Sequence, residues 1–203
     1  MTSDEIRAHA KYLYHKIISD LELQDKYDEQ DLATLFSYAF HPKKMVWQYC
    51  DYYFLLANKI TAVKEQLILI MYTGKMRDRW IVTTSVYPNT VGNELCDEII
   101  HLAVRDASPR VRLYGAMRAT SFNYKQYTKL IERAIDLEKN PISKKSLMSF
   151  HRYLVEDFFI EKKDDKKYQV NYYHGFFTFE SDIVDEQVLR QYVIEHFSHR
   201  IYP

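Results

Sequence analysis

Four bulky residues, Trp47, Trp80, Leu113 and Leu147, fall 33, 33 and 34 residues apart. A base stands three residues before each of them: Lys44, Arg77, Arg110 and Lys144. Pro42, Pro109 and Pro141 lie just ahead of three of these segments. Proline suits the first turn of a helix, where its missing N–H has no partner to lose. A second apolar pattern precedes each segment: Leu32, Leu35 and Phe36; Val63, Leu67, Ile70 and Met71; Leu95, Ile99, Leu102 and Ala103; Leu130, Ile131, Ala134 and Ile135. Residues at i, i+3 and i+4 share one helix face. The recurring unit is therefore helix, short turn, helix. One such pair cannot bury both of its apolar faces, so neighbours must stack.

The expected fold class is mainly α: a short α-solenoid of stacked antiparallel helix pairs. Residues 1–157 would hold an N-terminal capping helix and about four pairs. Residues 158–203 would form a C-terminal β-hairpin and helix cap packed on the same array. A globular helical bundle is the alternative. Within 3–20, Ile6, Ala10, Leu13, Tyr14 and Ile17 lie on one helix face, and Thr2 and Glu5 have capping-box spacing. Glu161 to Lys167 reads as a charged, solvated turn. After it, Tyr168, Val170 and Tyr172 alternate with polar residues, and Phe176, Phe177 and Phe179 follow a glycine, which favours strands. Asp182 to Ser198 returns to a helical pattern.

Composition narrows the classes that remain. Only 4 Gly and 5 Pro are too few for the many tight turns of an all-β sandwich. The chain is 47% hydrophobic, enough for a sizeable core. Two cysteines, Cys50 and Cys96, cannot build a disulfide framework, and both sit in apolar helical patterns as core residues. The longest apolar run, Leu67 to Tyr72, is far short of the roughly 20 residues a membrane span needs. No basic-then-apolar leader opens the sequence. These features point to a cytoplasmic protein with no membrane partner.

The stretch Asp106-Ala107-Ser108-Pro109-Arg110-Val111-Arg112-Leu113-Tyr114-Gly115-Ala116 resembles the second-helix signature of HEAT repeats, with an Asp, a Pro, a Val-Arg pair and then small residues. Arg77-Asp78-Arg79-Trp80 is a weaker match, with Arg79 at the Arg position, and the segments at 42 and 141 match in proline and helical pattern. The resemblance covers roughly residues 29–157. It implies a structural ladder pairing Asp106 with Arg112. It also implies a binding scaffold rather than a reaction.

No chemical constellation rises above a solvated helix face. Glu98 and His101 have a spacing seen in di-iron bundles, but the motif occurs once where such a centre needs it twice. His196 and His199 could supply half a metal site, with no Cys pair or Asp close in sequence. Asp157, Asp182 and Asp185 are carboxylates that nothing places face to face. Glycine-rich phosphate loops and nucleophile elbows are absent from the sequence. No catalytic residue, metal or cofactor is assigned.

Charge is more informative. The formal net charge is zero, but residues 1–40 hold 4 bases against 8 acids and residues 41–90 hold 7 bases against 3 acids. Residues 101–155 also favour bases. Stacked repeats would align Lys44, Arg77, Arg110 and Lys144, and bases at helix N-termini oppose the dipole unless something else favours them. With Tyr49, Tyr53 and Trp80 beside them, they would make a basic, Tyr-lined concave groove on the second helices. Tyrosine is enriched at protein interfaces, and the chain has 18. The expected function is a protein-binding scaffold or inhibitor, of the adaptor or immunity-protein kind, whose partner presents an acidic surface. The alternative is a nucleic-acid-binding helical-repeat protein, similar to DNA glycosylases of that architecture, with Asp78 beside Trp80. Zero net charge favours the first.

Overall fold

The computed structural model describes residues 1–47, 51–156, 158–173 and 179–201. The chain is mainly helical and carries one three-stranded antiparallel sheet. It divides into two compact units, Met1–Ala103 and Val104–Pro203. Among the described residues, no helix is long and apolar enough to cross a membrane.

The first unit contains α1 (Ser3–Gln24), α2 (Glu29–Ala39), α3 (Lys44–Trp47), α4 (Tyr52–Leu55), α5 (Thr61–Thr73), α6 (Met76–Ser85), α7 (Pro88–Val91) and α8, which starts at Asn93 and ends at Val104. Thr2 and Glu5 close the capping box: Thr2 N–H donates to Glu5 Oε2 at 2.6 Å, and Glu5 N–H donates to Thr2 Oγ1 at 3.2 Å. Ile6, Ala10, Leu13 and Ile17 form the buried stripe of α1 and pack on α2, whose own buried residues are Leu35 and Ala39. Asp28 caps α2, its carboxylate accepting from Gln30 N–H at 2.7 Å. Val63, Leu67, Ile70 and Met71 bury the inner face of α5 against α6. The α5–α6 turn needs glycine at 74, because a Cβ there would lie 2.6 Å from the Ile70 carbonyl oxygen. Cys96 is fully buried in α8, as expected, and Cys50 lies outside the described residues.

Trp47 and Trp80, the first two anchors of the 33-residue period, meet edge to face with ring centroids 5.2 Å apart. The four leading apolar patterns fall on α2, α5, α8 and a tenth helix, α10 (Thr128–Leu137). The four anchors fall on α3, α6, α9 (Pro109–Ser121) and α11 (Pro141–Glu156).

In the second unit, α11 packs on both α9 and α10. Strands β1 (Phe158–Lys162), β2 (Lys167–Tyr173) and β3 (Phe179–Asp185) follow in spatial order β1-β2-β3, and α12 (Glu186–Ile201) closes the chain. The pairing register sets Val170 opposite both Ile160 and Asp182, and Tyr172 opposite Phe158 and Glu180. Val170, Val184 and Phe197 form the core between the sheet and α12. Phe158 stacks on Phe197 at 4.6 Å. The expected hairpin is thus a three-stranded sheet. Strand β1 escapes a local reading because Phe158 continues the helical phase of Leu154. Only pairing with β2, across the charged turn at 163–166, makes it a strand.

Candidate partner-binding surface

Two depressions adjoin on the first unit. One, of about 440 Å³, is walled by Glu29, Leu32, Ala33 and Phe36 of α2 and by Ala62 and Gln66 of α5, with Tyr27 and Tyr53 completing it. The other, of about 390 Å³, is lined by Phe36 and Phe40, by Ile70 of α5, and by Lys75, Arg77 and Asp78. They share Phe36. The N-terminal parts of α2 and α5 line the first and their C-terminal ends the second, so the two helices run side by side in the same direction.

The local chemistry explains the furrow. On α2, residues 29, 32, 33, 36 and 40 recur at helical spacing and make one stripe. The neighbouring stripe, Leu35 and Ala39, is buried. Ala33 and Ala62 are exposed and end at Cβ, so neither side chain fills the space between the two walls. Phe36 is half-buried and meets Phe40 at 4.7 Å and Tyr53 edge-on at 5.3 Å. Tyr53 is only 3% exposed, and burial pushes its phenol up to about 12, so it stays a neutral hydroxyl.

The furrow's ends differ in charge. Asp28, Glu29 and Asp31 crowd the start of α2, where they favour the helix dipole. Lys75 and Arg77 stand at the other end. Arg77 does a structural task there: Nη1 donates to Phe40 O at 3.0 Å and Nη2 donates to His41 O, holding the two carbonyls that follow the last residue of α2. Asp78 meets the same guanidinium at 3.3 Å. Lys75 is exposed and carries the positive charge of this end outward.

The other expected site residues are distributed as follows. Trp80 is half-buried against Trp47. Lys44 is the first residue of α3, but its side chain, like the whole of Tyr49, lies outside what is described. Arg110 is exposed at the second position of α9, and Lys144 is half-buried at the fourth position of α11. The depressions run along first helices, whereas the sequence reading put the groove on second helices. Tyr53 and Arg77 reach the furrow from α4 and α6. Most of the lining escaped that reading, including Ala33 and Phe36 of α2, Ala62 and Gln66 of α5, and Lys75. The one sequence signal is on α2, which carries a wider apolar face, Leu32 to Phe40, than a single buried stripe requires; α5 and Lys75 carry none.

Asp106 and Arg112 meet through the backbone. Arg112 Nη1 donates to the Asp106 and Ala107 carbonyls, both at 2.9 Å, and the Asp106 carboxylate accepts from Ser108 N–H at 2.7 Å. Arg112 Nη2 lies 3.8 Å from Glu138 Oε2, and both side chains are buried. This ties the start of α9 to the turn between α10 and α11.

Asp182 proves to be an anchor between sheet and helix. Its carboxylate accepts hydroxyl protons from Tyr192 and, at 2.9 Å, from Tyr172, and these donors hold it below the usual carboxylate range. Burial and the same carboxylate push Tyr192 up to about 12. His196 stacks on Tyr192 with centroids 4.1 Å apart. Asp157 and the His199 side chain lie outside the described residues, and Glu98 and His101 are exposed. Among the described residues, no three His, Cys, Asp or Glu side chains converge in a way that could hold a metal ion.

No protein-family model, curated protein or solved structure matches the chain.

Proposed function

We propose that this chain is a protein-binding module built from HEAT-like helix pairs, and that its partner seats in the furrow between α2 and α5. The observation that carries the reading is the open, apolar furrow with Tyr53 in its wall and Arg77 at its end. Two features support the reading: α2 and α5 flank one furrow, and the anchors Trp47 and Trp80 are in contact. Close packing of α9 on α11 extends the same pattern in the second unit. The resulting class is an α-solenoid scaffold acting as an adaptor or inhibitor.

Of the recurring bases, Arg77 stands with Lys75 at one end of the furrow, where the two would steer an acidic partner. Half-buried Leu32, Phe36 and Phe40 would supply the buried area that fixes affinity. The test is affinity capture from the native lysate with three baits: wild type, Ala33→Arg, and Ile142→Arg as a control on the exposed surface of the second unit. A protein retained by wild type and the control but lost with Ala33→Arg supports the reading. A captured set unchanged by Ala33→Arg overturns it.

A further inference from the structure

The furrow's dimensions and charge identify the kind of segment that fits it. We infer that its occupant is one amphipathic helix of about three turns from a protein partner, with carboxylates on the end that lies against Lys75. This rests on the furrow being the partner seat.

The α2 stripe begins at Glu29 and ends at Phe40, one residue past this helix of 11 residues, which is about 16 Å long at 1.5 Å per residue. The α5 residues that line it, Ala62, Gln66 and Ile70, recur every four residues. Two side-by-side helices with apolar stripes facing a shared furrow leave a ridge-and-groove surface that a third helix can match. An extended strand would need main-chain donors and acceptors along the furrow. Here the walls are helices, whose interior backbone groups are already bonded to one another. The furrow therefore offers side-chain pockets, which suit anchors at i, i+3 or i+4, and i+7.

Charge sets the occupant's polarity. Asp28 and Glu29 make one end negative. At the other end Asp78 and the Phe40 and His41 carbonyls already engage Arg77, and exposed Lys75 supplies the outward positive charge. An occupant with carboxylates at the Lys75 end gains there. Turned around, it would set those carboxylates against Glu29.

The probe is a fluorescein-labelled peptide of about 14 residues, held helical by an i,i+4 lactam because a free peptide of this length is marginal in water. It carries Leu at i, i+3, i+7 and i+10, two Glu at one end and neutral polar residues elsewhere. Anisotropy titration is run against the full chain and two variants. The peptide is expected to bind in the micromolar range. Lys75→Glu should weaken it roughly tenfold, the size of an exposed charge reversal. Ala33→Arg should abolish binding, and a lactam-free peptide with a central proline should not bind.

If the proline peptide binds as well, or if Lys75→Glu changes nothing while Ala33→Arg still blocks, the furrow remains the seat and the helix inference falls. The inference also falls if no peptide binds at about 100 μM, where a micromolar site would be saturated; the furrow reading is then judged by the lysate capture.

Discussion

Removing Arg112 should destabilise the second unit far more than removing any exposed base. Arg112 is 8% exposed and its Nη1 holds two backbone carbonyls at 2.9 Å. Charged hydrogen bonds of this kind contribute about 1.5–3 kcal/mol each before non-additivity is allowed for. Arg112→Ala also leaves Glu138, 5% exposed, as a buried carboxylate without its counter-ion. Breaking a buried pair from one side costs about 3–5 kcal/mol, so the expected loss is about 4 kcal/mol. Glu138→Gln should cost less, about 1–2 kcal/mol, because Oε2 sits at 3.8 Å and the Asn140 N–H bond to Oε1 survives in the amide. The double variant should then lose less than the sum of the single losses, since no charge is stranded. Urea unfolding followed by far-UV circular dichroism gives the free energies, and hydrogen exchange in α9 and α10 against α5 locates the loss. A cost below about 1 kcal/mol for Arg112→Ala, or strictly additive variants, would refute the pairing argument.

Arg77→Glu should cost about 2 kcal/mol, through the lost bonds to Phe40 O and His41 O. Lys75→Glu should stay within about 0.5 kcal/mol of wild type in the same urea assay. The Tyr53 phenol, ordinarily near 10, titrates at about 12 in the folded chain, so its contribution is intact below pH 10 and lost as pH climbs from 10 through 12. Tyr53→Phe should lessen the first unit's alkaline destabilisation, by up to about 2–3 kcal/mol at the upper end. Asp182→Ala strips the acceptor from Tyr192, while Tyr172 keeps Glu180 Oε2 at 3.1 Å, and exchange at α12 should rise while α5 is unaffected. Because its pKa is lowered, the Asp182 contribution is present above the ordinary carboxylate range near 4 and fades as pH falls through the lowered value.

The sequence made the helix pairs legible because their signal is local. Apolar spacing, prolines at first turns and the Thr2–Glu5 box all act within a few residues. The Asp106–Arg112 relation was legible as a pair. Its form was not, since the guanidinium finds the carbonyl rather than the carboxylate of Asp106. Arg77 shows the limit most clearly. Its partners are 36 and 37 residues away, so spacing alone read it as a member of a basic line and missed its task of holding the carbonyls that follow α2. The furrow was hidden for a related reason. Exposed Ala33 and Ala62 are neutral in any apolar pattern, and their meaning appears only when α2 and α5 lie side by side. Strand β1 likewise depends on a partner beyond a charged turn.

The measurement that tests the furrow most directly is site-specific photo-crosslinking in the native lysate. Benzoyl-phenylalanine is placed at Ala62 in one chain and at Ile142, 77% exposed in the second unit, in another. Seating in the furrow predicts one discrete adduct from position 62, competed away by the acid-ended helical peptide, and none of that mass from position 142. No adduct at 62, or the same adducts from both positions, would contradict it.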